Sequence, residues 1–451
     1  MAQNETDMLH GPLLGKIVMF ALPYAATGIM EQLFNSINVA VVGRFADSHA
    51  LAAVGANTFL INLIINLFMG VSVGANAVIS NYIGRHDRLA ARHAVNTTIA
   101  LSLISGLLLL LIGLSVAVPM LRWLGTPSDI IDDAALYLRI YFLGAPFFMV
   151  YNFGAAILRS KGDTRTPLRI LCVAGLINVA VSMLTVIALH LSVLGVALAT
   201  LSANVFSSCV IVRLLRHEQG IFRLSRRHVH VYPKELRRIL AIGLPAGLQT
   251  MVFSFSNIFV QTAINKFGYA AIAGASLCIT FDAYCYYVLS AFCAAAITFT
   301  GQNYGAGQTA RCRRVFSICM MLGGAAIFLG NMLFVVFADP VTSLFTTDPQ
   351  VALYCKWRIH VALAFQWIAT GYEIPAACMR GFGQSLLPAV LTIVGTCLLR
   401  LAWIFLVLPH WPGYGHLMLC YPISWIITSL LVLATYLHAR RKAYAVVATH
   451  A

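Results

Sequence analysis

The sequence predicts an all-α membrane protein of twelve transmembrane helices in two parallel six-helix repeats. Three observations predict it. First, 60% of the 451 residues are hydrophobic and only 10% are charged, whereas a soluble globular domain carries about 25% charged residues. Second, the apolar residues gather into twelve long runs, each near the roughly 20 residues needed to cross about 30 Å of hydrocarbon. Third, the second half of the chain repeats the first at an offset of 219 to 222 residues. The same composition excludes a disordered chain. No early window reads as a secretory signal ahead of a polar domain.

The apolar runs are 14–42, 52–82, 93–118, 131–158, 166–188, 194–216, 236–264, 271–301, 314–337, 351–379, 386–408 and 416–439. They are too long and too continuous for barrel strands, which would be about 10 residues with strict alternation.

The net charge is +15, from 30 Lys and Arg against 15 Asp and Glu. Alone, that excess suggests a nucleic-acid partner. The basic residues lie instead in short clusters between apolar runs, too short to line a groove, so no nucleic-acid partner is expected. Membrane topology accounts for the excess, because Lys and Arg collect on the cytoplasmic side of spanning helices. With the N-terminus in the cytoplasm, 23 of the 30 basic residues fall on that side. Arg44, Arg122, Arg139, Lys266, Lys356 and Arg358 fall at the outer face, and Arg400 falls inside a span. Both termini are therefore expected in the cytoplasm. The acids Asp47, Asp129, Asp132, Asp133, Asp339 and Asp348 lie at outer connections and carry no function by themselves.

Eleven cysteines are too scattered for a disulfide scaffold, and none forms a C-x-x-C pair. Cys172, Cys209, Cys278, Cys285, Cys293, Cys378 and Cys397 read as small buried hydrophobes. His228-x-His230 sits in a basic loop and reads as solvated, so no metal is expected.

The repeat is carried by matches in the same order. Ile17-Val-Met-Phe-Ala-Leu-Pro23 recurs as Ile239-Leu-Ala-Ile-Gly-Leu-Pro245, and Asn35 falls on Asn257. Tyr82-Ile-Gly84 with Arg92 recurs as Asn303-Tyr-Gly305 with Arg313. Arg159-Ser-Lys-Gly162 with Pro167 recurs as Arg380-Gly-Phe-Gly383 with Pro388. Gly55 and Gly274 correspond at 219, so small insertions intervene. Six spans per half is an even number, so both halves enter from the same side and form parallel repeats with a cavity between them. The expected organisation is a cytoplasmic tail (1–13), an N-lobe (14–216), a cytoplasmic linker (217–235), a C-lobe (236–439) and a second cytoplasmic tail (440–451).

Ionisable groups inside a membrane are costly and are functional candidates by default. Glu31, Asp282, Glu373 and Arg400 lie well inside spans. In the first span Glu31, Asn35 and Asn38 are spaced i, i+4, i+7 on one face. Pro23, two turns earlier, removes a backbone hydrogen bond and marks a bend. A protonatable carboxylate there could couple proton uptake to bending, or it could only hold helices together. In the tenth span Gln366, Thr370, Glu373, Ala377 and Arg380 form a stripe, with Pro375 beside the acid. In the eleventh, Thr392, Thr396 and Arg400 share a face, and the eighth supplies Asp282 with Tyr286 one turn on. Glu373, Asp282 and Arg400 are expected to meet as a network of charge near −1, which binds a proton or Na⁺ or is purely structural. Asn62, Asn66, Gln249, Asn257, Gln261, Tyr286 and Gln366 are the candidate cavity-lining groups, and Pro23, Pro245 and Pro375 the candidate hinges. No nucleophile elbow, zinc-protease motif or Walker loop is present. An enzyme is not expected, no cofactor is expected, and transport would draw on an ion or substrate gradient.

These residues resemble the MATE (multidrug and toxic compound extrusion) family, and its bacterial DinF-like branch most. The stretches that carry the likeness are Leu33-Phe-Asn-Ser-Ile-Asn-Val-Ala-Val-Val-Gly43-Arg44, Ala52-Ala-Val-Gly55, Tyr82-Ile-Gly84, Arg159-Ser-Lys-Gly-Asp-Thr-Arg-Thr-Pro167, Gly243-Leu-Pro-Ala-Gly-Leu-Gln249, Gly301-Gln-Asn-Tyr-Gly-Ala-Gly307 and Met379-Arg-Gly-Phe-Gly383. The resemblance implies a two-lobed inner-membrane exporter that exchanges H⁺ or Na⁺ for small, often cationic and amphipathic, organic compounds by alternating access. A monomer in the lipid bilayer is expected. Two departures bear on coupling. The DinF-like pattern has an acid in the first span where this chain has Asn38, and the NorM-like pattern has one in the seventh near Phe253. Glu31 is assigned the first role, and Asp282 with Glu373 the second. The alternative is a flippase for a lipid-linked or peptide-like amphipathic cargo. That cargo's pyrophosphate would favour several inward Arg or Lys, of which the sequence offers mainly Arg400. A receptor or scaffold fits the repeat and the buried acids poorly, and a major-facilitator carrier lacks this motif set.

Overall fold

Helices account for the regular structure. The computed structural model describes residues 6–45, 48–123, 131–218, 220–224 and 230–448, and no strand occurs among them. The first half comprises α1 (Leu13–Phe45), α2 (Ser48–Gly84), α3 (Arg88–Trp123), α4 (Ile131–Leu143), α5 (Ala145–Ser160), α6 (Arg165–Met183) and α7 (Ser192–His217). The second comprises α8 (Pro233–Asn265), α9 (Tyr269–Gly305), α10 (Thr309–Val336), α11 (Ala338–Phe345), α12 (Pro349–Val361), α13 (Thr370–Gly381), α14 (Leu386–Thr392), α15 (Leu399–Ala402), α16 (Tyr414–Met418) and α17 (Cys420–Ala448). His228, Arg226, Arg227, Asp47 and Asp129 lie outside the described residues.

Among the described residues, ten helices are long and apolar enough to cross a membrane, and α4 with α5, bent by 45°, makes an eleventh. The run 351–379, read from sequence as one helix, is α12 and α13 joined by a 3₁₀ stretch over Leu363–Ala369. Three residues per turn instead of 3.6 rotates what precedes Thr370 away from the face that follows it. The run 386–408 is also broken, by wide-turned π segments at Ile393–Leu398 and Trp403–Val407, leaving α15 as a single turn between them.

Two compact units divide the chain. One holds Ala26–Gly247 with the N-terminal residues to Asp7, and the other holds Met8–Ala25 with Leu248–Ala451. Both α1 and α8 therefore change unit two residues after a proline, Pro23 and Pro245. Proline leaves a helix short of one hydrogen bond and is the commonest cause of a bend.

In the first unit the opening half of α8 lies backbone-to-backbone on α2. Gly70 and Gly74 of α2 face Gly243 and Gly247 of α8, four residues apart on each helix. A Cβ on Gly243 would stand 2.6 Å from the Val71 Cα, and one on Gly70 would meet the Gly247 backbone itself. This is the small-residue packing that replaces the hydrophobic drive between helices in lipid. The chain ahead of α8 is tied to α3, where the Tyr232 amide donates to Thr97 Oγ1 at 3.1 Å and the Tyr232 ring stacks on His93 at 3.8 Å. In the second unit the chain ahead of α1 is held likewise. Arg311 donates to the carbonyls of Met8 and Gly11, each at 3.0 Å, and Asn303 donates to Met8 at 3.2 Å.

The backbone confirms the repeat. Gly162 (φ 94°) and Gly383 (φ 87°) take left-handed conformations at equivalent turns, as do His86 (φ 55°) and Gly307 (φ 74°). After Gly162, Asp163 caps α6 by accepting from the Thr166 amide at 2.9 Å. Lys161 beside it makes an ion pair with Glu218 at 2.7 Å, its own side chain 7% exposed.

The cysteine reading needs one correction. Cys278, Cys285, Cys378 and Cys397 are buried, but Cys172 and Cys293 are half-buried and Cys209 is exposed. A thiol is apolar enough to stand on the outer side of a spanning helix as well as in its core.

Three outcomes are expected. Gly383→Ala meets no neighbouring atom, so its cost is backbone strain alone, about 1–2 kcal/mol. Gly243→Leu must push two backbones apart and should cost more than the roughly 1–3 kcal/mol of ordinary overpacking. Gly15→Leu, with open space around it, should cost little. Thermal unfolding of the detergent-solubilised protein by fluorescence measures all three.

Candidate functional site

The first unit holds one acid deep in a span. Glu31 follows Pro23 by eight residues on α1 and is half-buried. The charge that acts on its carboxylate is Arg159, at the basic end of α5, and Tyr141 of α4 lies within its electrostatic reach. Glu31, Asn35 and Asn38 do not share one environment, despite their spacing. Asn35 is exposed, whereas Asn38 is buried and its Oδ1 has no hydrogen-bond partner among the described residues.

The second unit places its charges differently from the sequence expectation. Asp282 of α9 pairs with Arg358 of α12, Oδ2 to Nη2 at 3.1 Å. Arg358, in the last turn of α12, is 3% exposed, so it is a buried ion-pair partner and not a solvated charge. The charge that acts on Glu373 of α13 is Arg380, two turns along the same helix, rather than Arg400. Arg380 is itself buried and donates to Gln249 Oε1 at 2.8 Å. Arg159 and Arg380 are equivalent in the repeat, and each is the cation that acts on an intramembrane acid of its own unit.

Arg400 is fully buried on the single turn α15, between the two π segments. It donates to Asn257 Oδ1 of α8 and to Ser424 Oγ of α17, each at 3.2 Å. Its guanidinium lies over Tyr421 at 4.4 Å, with Phe253 at 5.0 Å and Trp425 at 5.8 Å. Arg358 lies on the same Tyr421 ring at 5.2 Å and donates to its hydroxyl at 3.5 Å. The three charges that gather are therefore Asp282, Arg358 and Arg400, which sum to +1. The sign is opposite to the −1 expected from Asp282, Glu373 and Arg400.

Among the cavity candidates, Gln249 and Asn257 serve as acceptors for Arg380 and Arg400. Gln366 is buried and donates to the Asp282 carbonyl at 3.1 Å, because the 3₁₀ stretch turns it toward α9 and off the Thr370–Glu373 stripe. Gln261 bonds Asn265 one turn on, at 3.0 Å. Tyr286 and Asn62 are exposed and Asn66 half-buried. Pro375 is buried within α13, whereas Pro23 and Pro245 are half-buried at the places where α1 and α8 change unit. Asp339 of α11 pairs with Lys356 of α12 at 2.7 Å. The ammonium there holds its exposed carboxyl below the usual range, an arrangement of little energetic weight on a surface.

Sequence reasoning missed Arg358 and passed over Arg159 and Arg380 as topological charges. The available signal was the repeat. A basic residue that recurs at the same offset, two turns from a half-buried acid on its own helix in the case of Glu373 and Arg380, is more than a marker of sidedness.

The MatE family model matches the chain twice, over residues 23–184 and 245–406. The two matches begin at Pro23 and Pro245, the same pair that opens the internal repeat. Among curated proteins, the chain is 26% identical over 438 residues to a probable multidrug resistance protein, YoeA, of Bacillus subtilis, covering 94% of this chain and 93% of that one. It is 25% identical over 372 residues to a FAD transporter of Shewanella oneidensis, covering 80% of each. Among solved structures, an outward-facing multidrug resistance MATE family transporter of the MOP superfamily superposes with a TM-score of 0.89 at 22% identity, over 97% of this chain and 98% of that one. With both halves matched by the family's own model, and one fold shared from end to end, the chain belongs to the MatE family.

Proposed function

We propose that this MatE-family transporter exports small organic compounds across a bacterial plasma membrane in exchange for protons, with Glu31 as the coupling acid. The observation that carries the reading is the position of Glu31. It stands two turns beyond the proline at which α1 leaves one unit for the other, and opposite a guanidinium. When ionised, the carboxylate attracts Arg159 and can also attract a cationic compound. When protonated, it does neither. Proton uptake thus changes what holds the far part of α1 at the point where Pro23 makes bending easiest. This gives alternating access a local lever, and Pro245 gives α8 a bend at the equivalent place.

A proton suits this acid better than Na⁺. A hard cation needs several oxygen ligands at once, and here a single carboxylate faces a cation. Several relatives are named as multidrug exporters and one as a FAD transporter, which supports organic cargo over a lipid-linked one. The positive-inside asymmetry supports cytoplasmic termini, and one chain supplies both repeats, which supports a monomer.

Three outcomes are expected. In proteoliposomes loaded with a dye panel, an imposed pH gradient should drive transport and a Na⁺ gradient alone should not. Glu31→Gln should lose at least about tenfold of the gradient-driven rate, the scale of a lost proton-transfer group, with thermal stability retained. Undiminished transport by Glu31→Gln would refute the coupling role. A fluorescent protein fused after Ala451 should fold and glow in cells, while an alkaline phosphatase fused there should stay inactive. The reverse pair of results would invert the topology.

A further inference from the structure

We infer that the second unit binds a singly charged anionic group between Arg358 and Arg400. The inference starts from charge that the protein leaves uncompensated. The two guanidiniums share the Tyr421 ring, at 5.2 and 4.4 Å, and are 3% and 0% exposed. Neither can shed its proton, because guanidinium stays charged under all conditions a protein meets. One carboxylate, Asp282, serves both, through its ion pair with Arg358 and its electrostatic pull on Arg400. Among the described residues Glu373 makes no ion pair with either guanidinium, and the charge that acts on it is Arg380, two turns along its own helix. The group is left at +1 in surroundings where an unpaired charge is costly.

The hydrogen bonds point the same way. Among the described residues Arg358 Nε and Nη1 and Arg400 Nη2 are buried with no hydrogen-bond partner, and so is the Tyr414 hydroxyl, which lies within electrostatic reach of Arg358. Three of these four unused polar groups are cationic donors on the two arginines that share the Tyr421 ring. A carboxylate oxygen or a halide accepts from several such donors at once and removes the excess charge. Phe253 and Trp425 lie against the Arg400 guanidinium, and the Asp282 side chain is 22% exposed, more than either arginine. The single turn that carries Arg400 lies between two π segments, a helix form often found at functional sites. The repeat makes the contrast plain. Glu31 of α1 corresponds to Phe253 of α8 at the offset set by Pro23 and Pro245, so a carboxylate in one unit is matched by a ring against a guanidinium in the other.

The group has two possible sources with one chemistry, an inorganic halide or the carboxylate of an organic cargo. The second source rests on the exporter reading above, whereas binding itself does not. The test uses the full-length protein in nanodiscs, in a dilute Tris–sulfate buffer whose anion is divalent, titrated with sodium chloride, acetate or benzoate. Thermal midpoint and tryptophan fluorescence are followed, and Trp425→Phe identifies the fluorescent reporter. A saturable rise in midpoint is expected with at least one of these anions. Asp282→Asn removes the competing carboxylate and should lower the half-saturating concentration about tenfold, and Arg400→Gln should abolish the response. If Arg400→Gln does not fold, Asp282→Asn decides alone, since a cation-binding network would respond in the opposite sense. Chloride alone would identify an inorganic anion. Benzoate and acetate that displace chloride would identify cargo. No saturable response to any of the three, or an Asp282→Asn protein that binds no tighter, overturns the proposal. Glu31→Gln protein should bind anions as the parent does even where its efflux is lost, so the two readings fail separately.

Discussion

Hydrocarbon offers no hydrogen bonds, and the form of this chain follows from that constraint. Each backbone must satisfy itself, so every spanning element is a helix. Attraction between helices cannot come from excluding water, so α2 and α8 meet through glycines that let their backbones touch. A polar side chain must find its partner within the protein. That requirement draws Arg400 into Asn257, Ser424 and three aromatic rings, and draws Arg358 onto Asp282 and the same tyrosine.

The two repeats share a backbone plan and differ in charge. Left-handed turns recur at Gly162 and Gly383, and α1 and α8 change unit at the same step after a proline. Arg159 and Arg380 keep the same position and the same kind of partner. The interior has diverged. The first unit has Glu31 where the second has Phe253, and the second gathers two guanidiniums around one carboxylate. A duplicated fold with interiors of opposite character suits an exchanger, whose two cargoes differ in chemistry.

The fold was largely legible because its signals are local. Apolar run length gave the spans, and proline and glycine spacing gave the repeat. The breaks were not legible. Nothing in the composition of 363–369 separates 3₁₀ from α, since the difference is a small change of winding set by what the segment packs on. The charges were half legible. Glu31 and Arg400 stood out as ions that topology leaves unexplained. Arg358 did not, because its place in the sequence near a helix end matched an outer-face charge, and a long side chain reached inward instead.

The sequence by itself determined that this is a two-repeat bundle of membrane helices, where its prolines fall, and which ions lie at membrane depth. Each of these is a property of neighbouring residues or of the chain compared with itself. Only the tertiary structure decided which ion faces which. Asp282 meets Arg358 across 76 residues and Arg400 meets Asn257 across 143, and a Coulomb interaction depends on distance in space. That pairing turned an expected excess of negative charge into a positive one.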